Sequence, residues 1–484
     1  MSLAFRAGTA LSLFIASGPA FSEPATPEGA TRLKELFQTY LGNTPDVITV
    51  TPGGENYRAV VDPNPFFALG AEAGLTGTVT PMTLTLTDQG GGKWGVEQDE
   101  PFALTIDVPD VFSLDLRIAQ SRWSGVFDEA LIAFEQAEAE ISGMRLEETF
   151  AEPGGPKMSI TYAIDEMSYV SRATAAMGGG VDATMDYKVS GIVETISSAP
   201  NPDMPIPVSA TFTIDSYDAA GEVKGMRTQG LYALLSWFVA HPSEEEIEAD
   251  LAGTSDAIAA ALPIFEALHL SGTFDNLDVV TPFGAGGADA GRFDIDLNGV
   301  VGEGRLREMV ALQGLRLPEE LMPDWVPQLL PDEVTLDFAV SGFDLAAPAA
   351  MLLEAMAENK EPDDARQAEI LRALLPDGKL HVTFGPAGAA SDIYDVDIEA
   401  EIVAGPADEP AGSAFISAGG IEAVLEALND APDDVRQGAV PAIMMMRGIA
   451  KPEEGGRYSW DVEFAGEKKV LVNGIDLTAL SKGQ

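Results

Sequence analysis

The chain has 484 residues, with 77 acidic against 28 basic side chains, a net charge of −49 and no cysteine. So acidic a polypeptide is repelled by nucleic acid and by anionic headgroups. The lack of cysteine excludes disulfides, thiolate metal sites and cysteine nucleophiles, and the 46% apolar content suffices for a large core or for two to three domains.

Residues 1–22 read as a cleavable export signal. Arg6 supplies the positive start, Ala10 to Ala16 the short apolar stretch, and Ala20-Phe21-Ser22 the small residues before a cleavage point. Removal of this segment, which contains Arg6 and no acid, leaves −50. No cysteine follows for a lipid anchor, and no later stretch has the roughly 18 to 20 uninterrupted apolar residues of a spanning helix. Together with the missing disulfides, this pattern predicts an exported protein of a bacterial periplasm, with no transmembrane span after cleavage.

Beyond the leader, residues 23–225 form an N-terminal β-rich region. A helix over Thr31 to Leu41 aligns Leu33, Leu36, Phe37 and Tyr40 on one face. Strict alternation then dominates: Met82 to Leu86, Phe102 to Val108, Phe112 to Ile118, Ile160 to Ile164 and Val208 to Ile214. Each places its large apolar side chains on one face of a strand and its polar ones on the other. Pro109-Asp110 and Gly90-Gly91-Gly92 punctuate them as turns, and the Pro-rich stretch 200–207 reads as an extended loop.

Residues 226–270 read as a helical connector. Ser243 with Glu246 makes a capping box ahead of Glu244 to Leu251, and a second helix is predicted over Asp256 to Leu268, interrupted by Pro263. Residues 271–484 return to strands: Phe293 to Leu297, Val334 to Val340, Leu380 to Phe384, Tyr394 to Ile402 and Tyr458 to Phe464. Helices lie between them at about 345–375 and 419–450. Leu329-Leu-Pro-Asp332 and Leu374-Leu-Pro-Asp377 both precede an alternating strand, which suggests a repeated unit of helix, Pro-Asp turn and strand.

Motifs for chemistry are sparse. Asp294-Ile-Asp296-Leu-Asn298-Gly299 matches the opening of a calcium loop, but Arg305 stands where the bidentate Glu belongs. A strand ending in an Asn-Gly turn is the better reading. Asp395, Asp397, Glu399 and Glu401 line one strand face, as a solvated ladder that discourages edge pairing. His241, His269 and His381 stand far apart, and Met444-Met445-Met446 points three ways around a helix. No catalytic residue, metal ligand or cofactor is assigned.

Gly456-Arg-Tyr458-Ser-Trp460-Asp-Val462-Glu-Phe464-Ala-Gly466, followed by Val470-Leu-Val472-Asn473-Gly474-Ile-Asp-Leu477, resembles the end of the YdgA-like bacterial envelope proteins of unknown function. The helix-then-strand units are similar in style to AsmA-type proteins. The resemblance implies an envelope protein and supplies no catalytic residue.

The expected fold is α+β and mainly antiparallel β: long curved amphipathic sheets, partly covered by helices near 243–268 and 345–375. The dry faces then meet helices, a second sheet or a ligand. The leading functional expectation is a non-enzymatic exported envelope protein that binds lipid or another hydrophobic ligand in a β-sheet groove. Candidate lining residues are Leu104, Ile106, Leu336, Phe338, Val382 and Phe384. The alternative is a structural or assembly factor that contacts another envelope protein through its acidic surface. A carboxylate-based extracytoplasmic hydrolase stands third.

Overall fold

The computed structural model describes residues 24–70, 74–151, 157–199, 208–318, 322–406, 409–465 and 469–477. The export signal read over 1–22 lies outside the described residues, as does the Pro-rich loop of 200–207. Strand accounts for 53% of the chain and helix for 25%, and the architecture is mainly antiparallel β with helices. Two compact units divide it: residues 1–268 with 350–362, and residues 269–349 with 363–484. The helices predicted as a connector thus belong, up to residue 268, to the first unit.

In the first unit, helix α1 (Pro27–Leu41) precedes strands β1 (Ile48–Gly53) and β2 (Asn56–Val61), then helix α2 (Asn64–Gly70). Short strands β3 (Thr76–Val79), β4 (Met82–Gly90), β5 (Lys93–Asp99) and β6 (Phe102–Val108) follow. Five long ones come next: β7 (Phe112–Asp128), β8 (Ala133–Ala151), β9 (Lys157–Ala175), β10 (Val181–Ser198) and β11 (Val208–Met226). Helices α3 (Thr228–Ala240), α4 (Glu244–Ala249) and α5 (Leu251–Ala261) complete the set.

Pairing follows sequence order from β7 to β11, each strand antiparallel to the next. Strand β7 serves two further neighbours. Phe112 to Ile118 pairs with β6, and Arg122 to Asp128 pairs with β5. Strands β1, β2, β4 and β5 continue from the second ladder, and β3 from the first. A core forms where α1 lies over this sheet: Leu33, Phe37, Ile48, Leu86 and Phe127 are fully buried. Thr26 caps α1 by accepting from the Gly29 amide, with Pro27 at the first helical position, where a missing N–H costs nothing.

The Ser243–Glu246 capping box forms in full. The next helix differs from expectation: it spans Leu251–Ala261, not Asp256 to Leu268. Asp250 caps its start through the Gly253 amide. Leu262, forced extended by the proline after it, ends the helix early.

The second unit holds β12 (Ala267–Thr281), whose start straddles the boundary, then β13 (Gly284–Asn298), β14 (Gly304–Gln313) and β15 (Glu333–Phe343). Helix α6 (Ala346–Ala357), most of which belongs to the first unit, and helix α7 (Asp364–Leu374) precede β16 (Leu380–Ala390), β17 (Asp395–Ala404) and β18 (Ala411–Gly419). The chain ends with α8 (Ile421–Ala427), α9 (Asp433–Ile449), β19 (Lys451–Pro452), β20 (Tyr458–Ala465), β21 (Val470–Val472) and β22 (Ile475–Asp476). Strands β13 to β18 pair successively, and β20 joins β18. Helix α9 covers the β20 end, where Ile443, Met446 and Ile449 pack on Trp460 and Val462. Of the three consecutive methionines, Met446 packs inward while Met444 and Met445 stay exposed.

The repeated unit is only partly realised: α7 leads into the second Pro-Asp turn, while a single 3-10 turn at Pro327–Leu329 leads into the first. The Val-Asn-Gly sequence near the end has a clear structural cause. Asn473 and Gly474 take positive φ (50° and 80°) to turn β21 into β22. The Asn473 side chain donates to the carbonyls of Ile449 and Ser459 and accepts from the Asp461 amide. One asparagine therefore ties the hairpin to the end of α9.

Candidate functional site

The first unit carries a half-open apolar pocket of about 1250 Å³, above the usual ligand-site range of about 300 to 1,000 Å³. Its floor is the sheet. Register places Ala137 opposite Ser171, and Ala173 opposite Ala183 on the next strand, so small side chains meet in adjacent ladders. Small residues leave a hollow where leucines would fill it. Larger side chains wall it in: Trp123, Phe134, Tyr169, Met185 and Met226. Trp123 and Phe127 both meet the Phe134 ring edge-on, at 4.7 and 5.2 Å between centroids.

Helix α3 is the roof. Its sequence, Thr-Gln-Gly-Leu-Tyr-Ala-Leu-Leu-Ser-Trp-Phe-Val-Ala, carries no charge on any face. A helix apolar all round is ordinarily buried all round, yet Thr228 is its only buried residue. One flank packs on α5 so closely that a Cβ on Gly230 would lie 2.1 Å from the Ala260 carbonyl oxygen. Another meets α1 through an edge-on contact of Tyr40 with Tyr232, 5.7 Å between centroids. Leu231, Leu234, Leu235, Phe238 and Val239 face the cavity.

The two ends of the roof are anchored. Arg227 donates its amide to the Ile264 carbonyl at 2.8 Å, and Thr228 Oγ1 donates to the Leu131 carbonyl at 2.6 Å. At the other end the His241 ring stacks on Trp237 at 4.0 Å, with Nδ1 2.8 Å from the Trp237 carbonyl oxygen. His241, Pro242 and Ile247 of α4 close that side.

In a chain with 77 acidic residues, none of the 24 lining residues is an aspartate or glutamate. The one ordinarily charged residue is Arg172, which is exposed and pairs with Thr184. Strand alternation turns both away from Ser171, Ala173 and Ala183, so they present backbone to the hollow. The remaining polar groups are tyrosyl and seryl hydroxyls, Thr228, whose hydroxyl is used internally, and the stacked imidazole. Burial raises the Tyr40 pKa above its usual value, as expected beside a weakly polar space. Such a space suits hydrocarbon.

The six lining candidates from sequence stand elsewhere. Leu104 and Ile106 are half-buried on β6, opposite Leu116 and Leu114. In the second unit Phe338 pairs with Phe384 and Val340 with Val382, so Leu336, Phe338, Val382 and Phe384 share one sheet face. Leu336 and Phe338 are exposed there, at 51% and 40%. None of the six lines the cavity. Two signals in the sequence mark the lining of this pocket: a charge-free helix in a strongly acidic chain, and the Ala and Ser residues at alternate positions of β8 to β10.

The second unit gathers charges on the polar face of its sheet. Arg307 donates to Asp337 at 2.7 Å, Asp294 at 3.2 Å and Asp296 at 3.5 Å. His269 Nδ1 lies 2.9 Å from Asp296. His269, Asp294 and Asp296 lie close enough to share a cation, but the guanidinium already occupies both carboxylates. The calcium-like sequence is a strand, β13, as its alternation predicts. Arg457 likewise pairs with Asp395 and Asp397, two members of the acidic ladder on β17.

Comparison with family models, with curated proteins and with solved structures finds no match to this chain. Among the described residues, no helix is long and apolar enough to cross a membrane.

Proposed function

We propose that this protein is a non-enzymatic, exported envelope protein that holds the hydrocarbon part of a lipid, or a similar apolar ligand, between α3 and the sheet of β7 to β11. The observation that carries the reading is the 1250 Å³ hollow with no acidic side chain in its lining. Hydrocarbon seated in an apolar space of that size gains dispersion contacts with its walls, the charge-free helix α3 among them. The export-signal pattern of residues 1–22 and the absence of cysteine support an envelope location.

The test is native mass spectrometry of the gently purified chain, followed by solvent extraction. The expected result is a lipid-sized adduct that extraction releases. Ala173→Phe, which grows into the floor, is expected to remove the adduct while the circular dichroism spectrum stays unchanged. A folded wild-type chain that emerges empty, and that takes up neither a fatty acid nor an apolar fluorophore at micromolar concentration, overturns the proposal.

A further inference from the structure

The apolar face of the long strands does not end at the cavity. Along β7 to β11 the large apolar side chains nearer the cavity hold odd-numbered positions, such as Trp123, Tyr169 and Met185. Toward the other end they hold even-numbered ones, such as Leu116, Leu146 and Ile160. Uninterrupted pleating would send the two sets to opposite faces. The parity changes along one row across the sheet: Ala119, Gly143, Asp165, Gly191 and Asp215.

The regular ladders skip that row. Ile118 pairs with Met144 and Gln120 with Ser142, on either side of Ala119 and Gly143. The same gap recurs between β8 and β9 and between β10 and β11. Gly143 and Gly191 have φ of +61° and +65°. A residue outside the β region resets the pleat, so the side chains beyond it return to the face used before it. Register is unchanged across the row and paired residues share a face, so the strands turn together.

We infer that the cavity is the covered end of a longer apolar track, and that its occupant is one long alkyl chain of an amphiphile. This inference rests on the function proposed above and extends it to the class of ligand. Beyond the row, Leu116, Leu146 and Ile160 are only half-buried, as are Leu104 and Ile106 on the adjoining strand β6. From Phe112 to the row is seven residues, about 23 Å at roughly 3.3 Å each. That exceeds the roughly 15 Å of one leaflet of a bilayer core, so an extended acyl chain fits along it. A polypeptide laid on the same face would meet few hydrogen-bonding groups beyond Glu148, Glu194 and Tyr162, whereas hydrocarbon requires none.

The test uses the full chain with three probes, each carrying a diazirine at the chain end: a C18 fatty acid, a C8 fatty acid and a phosphatidylcholine. The expected result is at least tenfold tighter binding of C18 than C8, with cross-links on both sides of the row. Ile160→Lys is expected to reduce C18 affinity to that of C8 and to leave C8 unchanged. Labelling by the fatty acid, the phosphatidylcholine or both supports the track and identifies the source of the chain. Equal binding of C8 and C18, with cross-links confined to the cavity and both abolished by Ala173→Phe, overturns the track and leaves the cavity reading standing. Absence of binding by every probe overturns both.

Discussion

The hydroxyl of Thr228, the first residue of α3, donates a 2.6 Å hydrogen bond to the carbonyl of Leu131, 97 positions earlier in the chain. It joins the roof of the cavity to the turn between β7 and β8. Thr228→Val keeps the shape and leaves that carbonyl without its donor. The expected cost is about 1 to 3 kcal/mol, the range for orphaning a buried polar partner. Chemical denaturation measures it, and stopped-flow release of a fluorescent fatty acid is expected to accelerate. An unchanged denaturation midpoint would show that the bond does not anchor the roof.

Arg307 is the hub of the charged cluster in the second unit. Asp294 and Asp337 are buried, at 8% and 6% exposure, and both lean on its guanidinium. Arg307→Met leaves the buried Asp337 carboxylate without its guanidinium, while Asp294 keeps Arg292 at 3.6 Å, and breaking a buried pair typically costs about 3 to 5 kcal/mol. The Asp337 hydrogen bond, above all, raises the Arg307 pKa beyond its usual value. A raised folded-state pKa gives stability that is complete below the unfolded value, so the Arg307 contribution is full at neutral pH and lost only in extreme alkali. Thermal melts at pH 7 that match wild type would refute the assignment.

Tyr40, on the wall between α1 and α3, has its pKa raised by burial. The native state then holds the phenolic proton more tightly than the unfolded chain, whose value lies near 10. This stabilisation is complete below about pH 10 and disappears as the pH rises through the folded value. Tyr40→Phe is expected to flatten the loss of stability in alkali by one proton and to leave neutral stability nearly unchanged. The other tyrosines shifted in the same sense, Tyr162, Tyr187, Tyr217 and Tyr394, keep the remaining slope. Denaturation curves across pH 8 to 11 provide the check.

Gly191 lies on the row where the strand parity changes, at φ +65°, and a Cβ there would come within 2.4 Å of Asp165 Oδ2. Gly191→Ala meets both a left-handed backbone penalty of roughly 1 to 2 kcal/mol and that clash. The expected loss exceeds that of Gly438→Ala, a helical position whose added Cβ would touch nothing within 4 Å. Equal midpoints for the two variants would remove the special role of Gly191.

Strands were readable from sequence wherever one face is dry and the other wet. The alternation from Phe102 to Val108 and from Val334 to Val340 corresponds to β6 and to most of β15. Helix ends were readable where side chains cap them, as at Ser243, and misread where proline acts through its predecessor, as at Leu262. The cavity was harder to foresee because it is built from what is missing. Ala137, Ala173 and Ala183 matter for their small size, and only the fold brings them under one helix. Large residues such as Leu336 and Phe338 attract attention in a sequence, yet prominence in the alternating pattern does not say what lies above a strand.

Strand β7 takes part in three ladders, with β5, β6 and β8, while the described pairings from β8 to β11 join neighbours in sequence. Growth of the sheet past β7 therefore needs only hairpin closures between consecutive segments, the local kind of contact that favours rapid folding in β proteins. The roof helix comes immediately after the last of these strands. A chain that assembles from its N-terminus thus completes the basin before its cover arrives, which leaves an interval in which a greasy guest can enter without any door having to open.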